Sequence, residues 1–285
     1  MRAREQVTIA TRLRRLRRRV FKKWALALLR PLGLVIASGA RRENMISTIA
    51  LIRPVTTNHP LIRVGSPHDG GYLVPDDLAG IAACFSPGVS TSVDFELDLA
   101  TRGIRSYMVD ASIDDLPAHN DAFTFDSLWL GARDDVDTQT ISLDSWVSKY
   151  APDPTAGDLL LQMDIEDAEW VTLAATSRET LSRFRIIVLE LHDLTSLASR
   201  KGNLYITAIF EKLREQFDVV HAHPNNSFVP ERIKGVPIHP ILEITLLRKD
   251  RIDYSNPTER FPHPLDTRNL VHRPDVRLRA IWHRE

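Results

Sequence analysis

The stretch LLLQMDIEDAEW (159–170) places a run of apolar residues directly before a cluster of acids. A short, continuous apolar run is typical of a strand buried on both faces, as in the interior of a parallel sheet. Acids are also favoured where a helix begins, because its N-terminus carries a positive partial charge. That explains Asp167 and Glu169, which open a predicted helix at 168–177, but not Asp164, which still belongs to the strand. The sequence therefore predicts a buried strand that ends in a carboxylate at the rim of a crevice.

Strands and helices alternate along the chain on both sides of this stretch. The predicted strands are 81–88, 104–112, 122–125, 158–165, 185–191, 218–223 and 241–248. The predicted helices are 93–103, a short segment that begins at 143, 168–177 and 203–217. This alternation predicts an α/β fold with a Rossmann-like, doubly wound sheet. No predicted helix separates the last two strands, so we expect them to form an antiparallel pair.

The composition is that of a globular protein in which charge is distributed unevenly. The chain has 285 residues, of which 43% are hydrophobic and 26% are charged, as in soluble domains with a sizeable core. The net charge is +0, but residues 1–42 hold 13 Lys and Arg and a single acid, Glu5. The remainder is therefore acidic, which makes nucleic acid a poor partner for it. The single cysteine, Cys84, excludes an intrachain disulfide and fits a reducing, cytoplasmic compartment.

The basic N-terminal segment has three interpretations. Residues 12–40 combine clustered Arg and Lys with an apolar stretch that Arg30 and Pro31 interrupt. A basic amphipathic segment of this kind can lie on the inner face of an anionic membrane. The alternatives are a disordered leader with a docking helix and a signal anchor, although the apolar part is shorter than the roughly 20 residues of a spanning helix.

Acids end three of the predicted strands: Asp110, Asp164 with Glu166, and Glu190. In doubly wound sheets, ligands bind outside the carboxyl ends of the strands, near the point where the strand order reverses. Asp110 stands where nucleotide-binding folds bind ribose hydroxyls. The turn after the first of these strands, around Ser86 and Gly88, has one glycine, whereas a dinucleotide fingerprint has three. We therefore predict an adenosine cofactor without phosphates, S-adenosylmethionine, bound by Ser86, Gly88, Asp110 and Asp164.

Several further segments carry a resemblance to a known family. They are HDGGYLVPDDL (68–78), FSPGVSTSVDFELDLATRGIRSYMVDAS (85–112), HAHPNN (221–226) and PILEITLLRKD (240–250). Together with LLLQMDIEDAEW, which is similar to the signature LLKIDVEGAEW, they resemble the FkbM-type, methyltransferase-like family of class I S-adenosylmethionine-dependent methyltransferases. The resemblance covers roughly residues 60–275. Asp167 stands where the family usually has glycine, and the first turn departs from the commoner G-x-G form.

The resemblance implies a seven-stranded sheet with an antiparallel last strand, and methyl transfer to an oxygen of a sugar or another small metabolite. We accordingly divide the chain into a basic extension (1–45), a methyltransferase domain (46–275) and a tail (276–285). Two other functions are compatible with such a sheet. One is a dinucleotide-dependent oxidoreductase, against which the single-glycine turn argues; the other is a non-catalytic methyltransferase-like module tethered by the basic segment.

A catalytic base or a metal ion is predicted beside the end of the central strand. His192 follows Glu190 by two residues, so both lie on one side of their strand, next to Asp164 on the neighbouring strand. An oxygen-rich set with one imidazole suits Mg²⁺ or Mn²⁺, and a hydrogen-bonded structural network is the alternative. His192 and His223 are the candidate bases, because imidazole titrates near neutral pH.

The remaining candidate residues belong to a pocket for the methyl acceptor, a small molecule or glycan. HDGGY supplies Asp69 and Tyr72, although Asp-Gly-Gly is also an ordinary hairpin signal. HAHPNN supplies Asn225 and Asn226, which could instead form a turn. Together with Glu190, these four residues are predicted to contact the substrate.

Overall fold

The computed structural model describes residues 38–89, 91–151, 153–258 and 260–284. Its helices are α1 (Arg42–Leu51), α2 (Asp94–Thr101), α3 (Leu143–Tyr150), α4 (Glu169–Ala175), α5 (Arg178–Arg183) and α6 (Arg200–Arg214). Its strands are β1 (Val55–Thr57), β2 (Leu61–Gly65), β3 (Gly71–Pro75), β4 (Ile81–Pro87), β5 (Arg105–Val109), β6 (Phe123–Asp126), β7 (Trp129–Gly131), β8 (Thr140–Ser142), β9 (Asp158–Met163), β10 (Phe184–Leu191), β11 (Phe217–Pro224), β12 (Glu231–Ile233), β13 (Val236–Ile238), β14 (Leu242–Arg248) and β15 (Ser255–Pro257). Short 3-10 helices cover Leu194–Ala198, Lys249–Arg251 and Ala280–Trp282.

Seven strands form one central sheet, in the order β11-β14-β10-β9-β4-β5-β6. β14 runs antiparallel to both of its neighbours, and the other neighbouring pairs are parallel. The chain adds β5 and β6 on one side of β4 and then places β9 and β10 on the other side. The strand order therefore reverses between β4 and β9, the position at which doubly wound sheets bind ligands. The predicted α/β sheet is confirmed, including the antiparallel last strand.

The apolar run of β9 is buried on both faces of the sheet, as predicted. Leu159 and Leu161 belong to the main hydrophobic core with Trp146 and Phe184, whereas Leu160 belongs to a second core. Successive side chains of a strand point to opposite faces, so the two cores lie on opposite sides of β9. Every residue of β10 is buried as well. Each fully buried large apolar side chain contributes roughly 1.5–3 kcal/mol, so these two strands anchor the sheet.

The helix predicted over 203–217 differs from its prediction at both ends. This helix is α6, which begins after the capping residue Ser199 and ends at Arg214. Phe217 fits the helical spacing, yet it begins β11, where it pairs with Arg248 and is fully buried. Either a helix or a strand would bury this side chain, so hydrophobic spacing alone cannot distinguish the two.

The two ends of the described chain pack onto the same body. β1 pairs with β15, and Ala40, Met45, Leu278 and Trp282 all belong to the main core. The predicted membrane-contact segment 12–40 lies outside the described residues, apart from its last three. Within the described part of the chain, none of the helices combines the length and the apolar character needed to cross a lipid bilayer.

The ends of β4 and β9 touch at Gly88. The Asp164 amide donates a hydrogen bond to the Pro87 carbonyl at 3.3 Å. Gly88 has φ +86°, and a Cβ added there would lie 1.6 Å from the carbonyl oxygen of Asp164. Glycine adopts this left-handed conformation without steric cost and allows the two backbones to approach. The position of Asp164 therefore depends on the absence of a side chain at residue 88.

We expect Gly88→Ala to lower the free energy of unfolding by at least about 3 kcal/mol, because backbone strain adds to overpacking against β9. Gly235→Ala is the matched control, since Gly235 has φ +79° but nothing lies within 4 Å of its added Cβ. In the control, the free energy of unfolding should fall by only about 1–2 kcal/mol, because backbone strain is the only cost. Urea unfolding followed by circular dichroism measures both variants. Equal losses would contradict a close contact at Gly88.

Candidate functional site

Ionisable side chains form a row across four strands at one edge of the sheet. Glu190 on β10 and His223 on β11 both pair with Glu243 on β14. Asp164 follows the last paired residue of β9, beside Glu190. Side chains at directly paired positions lie on the same face of a sheet. The row Asp164–Glu190–Glu243–His223 thus brings together three predicted site residues and adds Glu243.

A cavity opens where β4 and β9 meet this edge, at the reversal of the strand order. Its lining comes from the β2–β3 hairpin, the turn after β4, the start of α2 and the end of β9. The lining residues are Asp69, Gly70, Tyr72, Gly88, Val89, Thr91, Ser92, Phe95, Glu96, Gln162, Asp164 and Glu166. The cavity therefore collects four predicted site residues, Asp69, Tyr72, Gly88 and Asp164, from three distant parts of the chain.

Tyr72 offers this cavity a buried hydroxyl. The predicted hairpin is confirmed, and Arg63 fixes its turn by donating to three backbone carbonyls. The Tyr72 side chain is 3% exposed and packs edge-on against Phe95. Burial, together with Glu190 and Asp164, raises the pKa of Tyr72 well above its ordinary value, so the hydroxyl keeps its proton. Among the described residues, this hydroxyl has no hydrogen-bond partner.

Ser86 lies beneath the cavity rather than in its lining. It is fully buried, and its hydroxyl lies within hydrogen-bond distance of Glu96 and 2.6 Å from Oε1 of Gln162. Burial raises the pKa of Glu96, and a protonated Glu96 can donate to Ser86 while Ser86 donates to Gln162. Glu96 and Gln162 line the cavity, so Ser86 can influence a ligand only through these two side chains.

Asp110 ends β5 as predicted, close to the cavity but outside its lining. It directly follows Val109, which pairs with Pro87, so its backbone is level with Gly88. The Asp110 Oδ1 accepts hydrogen bonds from the amide and the hydroxyl of Ser112, at 2.8 and 2.6 Å. One carboxylate oxygen therefore shapes the turn after β5, and the predicted contact with ribose stays a prediction.

His192 lies at the centre of a group of carboxylates. Its Nδ1 donates to Oε1 of Glu169 at 3.1 Å, and Glu169 is fully buried. Its Nε2 lies 3.5 Å from Glu166, 3.9 Å from Asp164 and 4.0 Å from Glu190. Burial lowers the pKa of His192, but Glu169 and the other carboxylates outweigh burial and raise it to about 9. His192 is therefore a charged imidazolium at neutral pH.

The two predicted carboxylates beside His192 both have raised pKa values. Burial raises the pKa of Asp164 to about 7, while the positive charge of His192 opposes the rise. Burial and the charge of Asp164 raise the pKa of Glu190 well above its ordinary value. The amide of Asn225 donates to Oε1 of Glu190 at 2.7 Å. Asn225, predicted to contact substrate, thus holds a substrate-site carboxylate in place.

His223 is enclosed between two carboxylates at the other end of the row. Its Nδ1 lies 3.7 Å from Glu243, and its Nε2 lies 3.4 Å from Asp275. Burial lowers the pKa of His223, but the nearby carboxylates of Asp275 and Glu243 outweigh burial and raise the pKa to about 10. A charged imidazolium has no lone pair that can accept a proton. His223 is therefore unsuited to the predicted role of general base and acts as a counter-ion.

The C-terminal tail covers this end of the row. His221 bonds with Asp266 at 2.8 Å, and the amide of Asn269 donates to Glu243. Asn226 donates to three backbone carbonyls of the tail and accepts from one of its amides. Asn226 was predicted to contact substrate, but its side-chain amide uses its hydrogen-bonding groups on the tail. It therefore positions the tail.

Sequence reasoning missed several polar residues of this region. They are Glu96, Gln162, Glu169, Glu243, Asp266, Asn269 and Asp275. Gln162 and Glu243 carry a usable signal, because each is a polar residue between two apolar neighbours in a buried strand. The tail residues carry none, because no local pattern indicates which strand they will meet.

Comparison of the sequence with models of known protein families yields no match, and comparison with curated proteins yields no relative.

We expect His223 to make the free energy of unfolding depend on pH between 7 and 10. Its pKa is about 10 in the folded protein, against about 6.5 for an ordinary histidine. Because the folded pKa is the higher one, the contribution of His223 is complete below about pH 6.5 and is lost as the pH rises toward 10. In His223→Gln, the free energy of unfolding should fall less steeply with pH than in wild type, by up to about 1.4 kcal/mol per pH unit. Urea unfolding at several pH values measures the slope.

His239→Gln is the control for this experiment. Burial lowers the pKa of His239 to about 4, so this ring is neutral above pH 7 in both the folded and the unfolded state. Its replacement should leave the slope between pH 7 and 10 unchanged, whatever it does to the absolute stability. A wild-type slope in His223→Gln would contradict the paired imidazolium.

Proposed function

We propose that this protein is an S-adenosylmethionine-dependent methyltransferase that methylates a hydroxyl of a sugar, glycan or other small metabolite. The observation that carries the proposal is the cavity at the reversal of the strand order, lined by the end of β9 and the turn after β4. The seven-stranded sheet with its antiparallel last strand is also what the resemblance to the FkbM-type family implies.

The charge of the cavity supports a cationic, phosphate-free cofactor. Its lining holds four carboxyl side chains, Asp69, Glu96, Asp164 and Glu166, and no Lys or Arg among the described residues. A pyrophosphate would face this acidic lining without a counter-charge. A sulfonium or an ammonium group is attracted by the same lining. The cavity therefore favours S-adenosylmethionine over a dinucleotide, in agreement with the single glycine of the first turn.

The residues of the chain would share the binding of this cofactor. Gly88 and Asp164 lie in the lining, Asp110 lies at the end of the next strand, and Glu96 with Gln162 offers polar groups at the start of α2 and the end of β9. When bound, S-adenosylmethionine supplies a methyl group on a sulfonium, whose C–S bond breaks as the C–O bond forms while sulfur keeps the electron pair. The acceptor hydroxyl must lose its proton.

The acceptor would lie between the hairpin and the row. Asp69 and Tyr72 face this space from the hairpin, and Glu190 is close enough to Tyr72 to affect its pKa. Carboxylates accept hydrogen bonds from the hydroxyls of a polyol, and Tyr72 can donate one. Positioning of the reacting atoms can supply roughly 7–11 kcal/mol of the barrier. His223 is covered by the tail, and the charged imidazolium of His192 cannot accept a proton either. Asp164, which lines the cavity and has a pKa of about 7, therefore remains as the predicted catalytic residue that can take the proton.

Calorimetric titration of the full chain tests the cofactor. We expect S-adenosylmethionine and S-adenosylhomocysteine to bind and NADH or NADPH to give no heat. Mass spectrometry of glycans and small metabolites incubated with protein and methyl-labelled cofactor then identifies the acceptor. Binding of NADH without binding of either adenosyl compound would instead support an oxidoreductase, and no binding of any of them would support the non-catalytic module.

We expect Asp110→Asn to weaken S-adenosylmethionine binding by about tenfold or more, because a hydrogen bond to a charged acceptor contributes about 1.5–3 kcal/mol. The asparagine keeps an oxygen for the bonds to Ser112, so the melting temperature should change little. Asp126→Asn is the control, since Asp126 ends the neighbouring strand β6 and binds Lys149 and Tyr150. Equal affinities in wild type and Asp110→Asn would remove Asp110 from the cofactor site.

A further inference from the structure

We propose that Asp164, Glu166 and His192 bind a divalent cation of the Mg²⁺ or Mn²⁺ class at the edge of the cavity. We infer further that this cation binds the hydroxyl oxygen of the methyl acceptor; this second inference rests on the proposed function. The cation site and the cofactor site are chemically separate, so each can be tested without the other.

The three side chains can reach one ion. One ligand atom from each lies within 4.8 Å of the other two, and Nε2 of His192 is 3.5 Å from Glu166 and 3.9 Å from Asp164. Ligands at about 2.1 Å from an octahedral Mg²⁺ are roughly 3 Å apart when adjacent and about 4.2 Å apart when opposite. Two carboxylates and one imidazole form an oxygen-rich set, which suits Mg²⁺ or Mn²⁺.

The imidazole is already oriented for this role. Nδ1 of His192 donates to the fully buried Glu169, and the Trp170 indole donates to the His192 backbone carbonyl at 2.7 Å. A carboxylate on one ring nitrogen fixes the ring and directs the other nitrogen toward a metal. Glu169 is therefore a positioning residue, and Nε2 faces the carboxylates of Asp164 and Glu166.

A plain ion-pair network accounts for only half of this arrangement. It explains the bond between Nδ1 and Glu169, but three carboxylates surround Nε2 at 3.5 to 4.0 Å, beyond normal hydrogen-bond length. Three carboxyl groups thus converge on one ring nitrogen without a normal hydrogen bond to it. A divalent cation between Nε2 and the oxygens of Asp164 and Glu166 would bind all three groups.

Tyr72 is an independent sign of a ligand at the same place. Its side chain is 3% exposed and lines the cavity that also contains Asp164 and Glu166. Its hydroxyl has no hydrogen-bond partner among the residues that the structure describes, so it can donate to a group bound in the cavity. A water or an acceptor oxygen on the cation would supply that partner.

Three protein ligands leave room on a six-coordinate ion for water and for an acceptor oxygen. A cation that binds a hydroxyl oxygen lowers the pKa of that hydroxyl, so the proton can leave to water before or during methyl transfer. This arrangement removes the need for a neutral histidine as the base. The carboxylate of Glu190 stays outside the ligand set, held by Asn225.

The test is a titration of the metal-free full chain with Mn²⁺, followed by electron paramagnetic resonance, in the absence of S-adenosylmethionine. We expect one Mn²⁺ per chain, displaced by Mg²⁺. Glu166→Gln should weaken binding by about tenfold or more, and its exposed position makes this variant safe for folding. His192→Asn should act in the same direction.

Asp167→Asn is the matched control, because Asp167 belongs to the same loop but not to the proposed ligand set. Asparagine tolerates its positive φ of 76°, so Mn²⁺ affinity should equal that of wild type. Absence of Mn²⁺ binding at millimolar concentration, or equal weakening by Asp167→Asn and Glu166→Gln, would overturn the site. Mn²⁺ binding without S-adenosylmethionine binding would support the cation site and reject the methyltransferase. S-adenosylmethionine binding without Mn²⁺ binding would support the methyltransferase and reject the cation site.

Discussion

The structure depends on the pairing of charges that are buried at one edge of the central sheet. An unpaired buried charge costs several kcal/mol, and the cost falls only when partners with good geometry are present. Three members of the row meet this requirement, each through a different segment. Glu190 receives the amide of Asn225, Glu243 receives that of Asn269, and His223 sits between Glu243 and Asp275. Hydrogen bonds and ion pairs with the row therefore hold the surrounding loops and the tail in place, in addition to apolar packing.

The same pairing makes the two ends of the row unlike each other. Toward β11, the tail supplies Asp266, Asn269 and Asp275, which cover the histidines of that strand. Toward β9, Asp164 faces the cavity, and no Lys or Arg lies in the described lining. The charge on the covered side is compensated within the protein. On the open side, His192 is the positive group beside several carboxyl groups, so a cationic ligand is favoured at this end.

The fold and the open half of the site were predictable because they depend on local sequence. The apolar run of β9 and the acids Asp164 and Glu190 identify the buried strands and the edge at which they end. The covered half was not predictable, because its contacts join distant positions. Asn269 reaches Asp69, 200 residues away, and Asp266 reaches His221, 45 residues away. The same limit applies to His223, whose residue type suggests a base but whose partners convert it into a counter-ion.

This division also explains why the proposed cofactor is easier to infer than the proposed acceptor. In the proposed enzyme, the turn after β4 and the ends of β5 and β9 would form the cofactor side from backbone positions that the sheet register determines. The acceptor side combines the β2–β3 hairpin with the end of β10. Asn269 of the tail donates to Asp69 of the hairpin and to Glu243 on β14, which pairs with Glu190 of β10. A change in the tail would therefore move Asp69, and with it one wall of the cavity, without touching the cofactor side. Acceptor specificity can consequently diverge through the tail while the chemistry at the end of β9 stays the same.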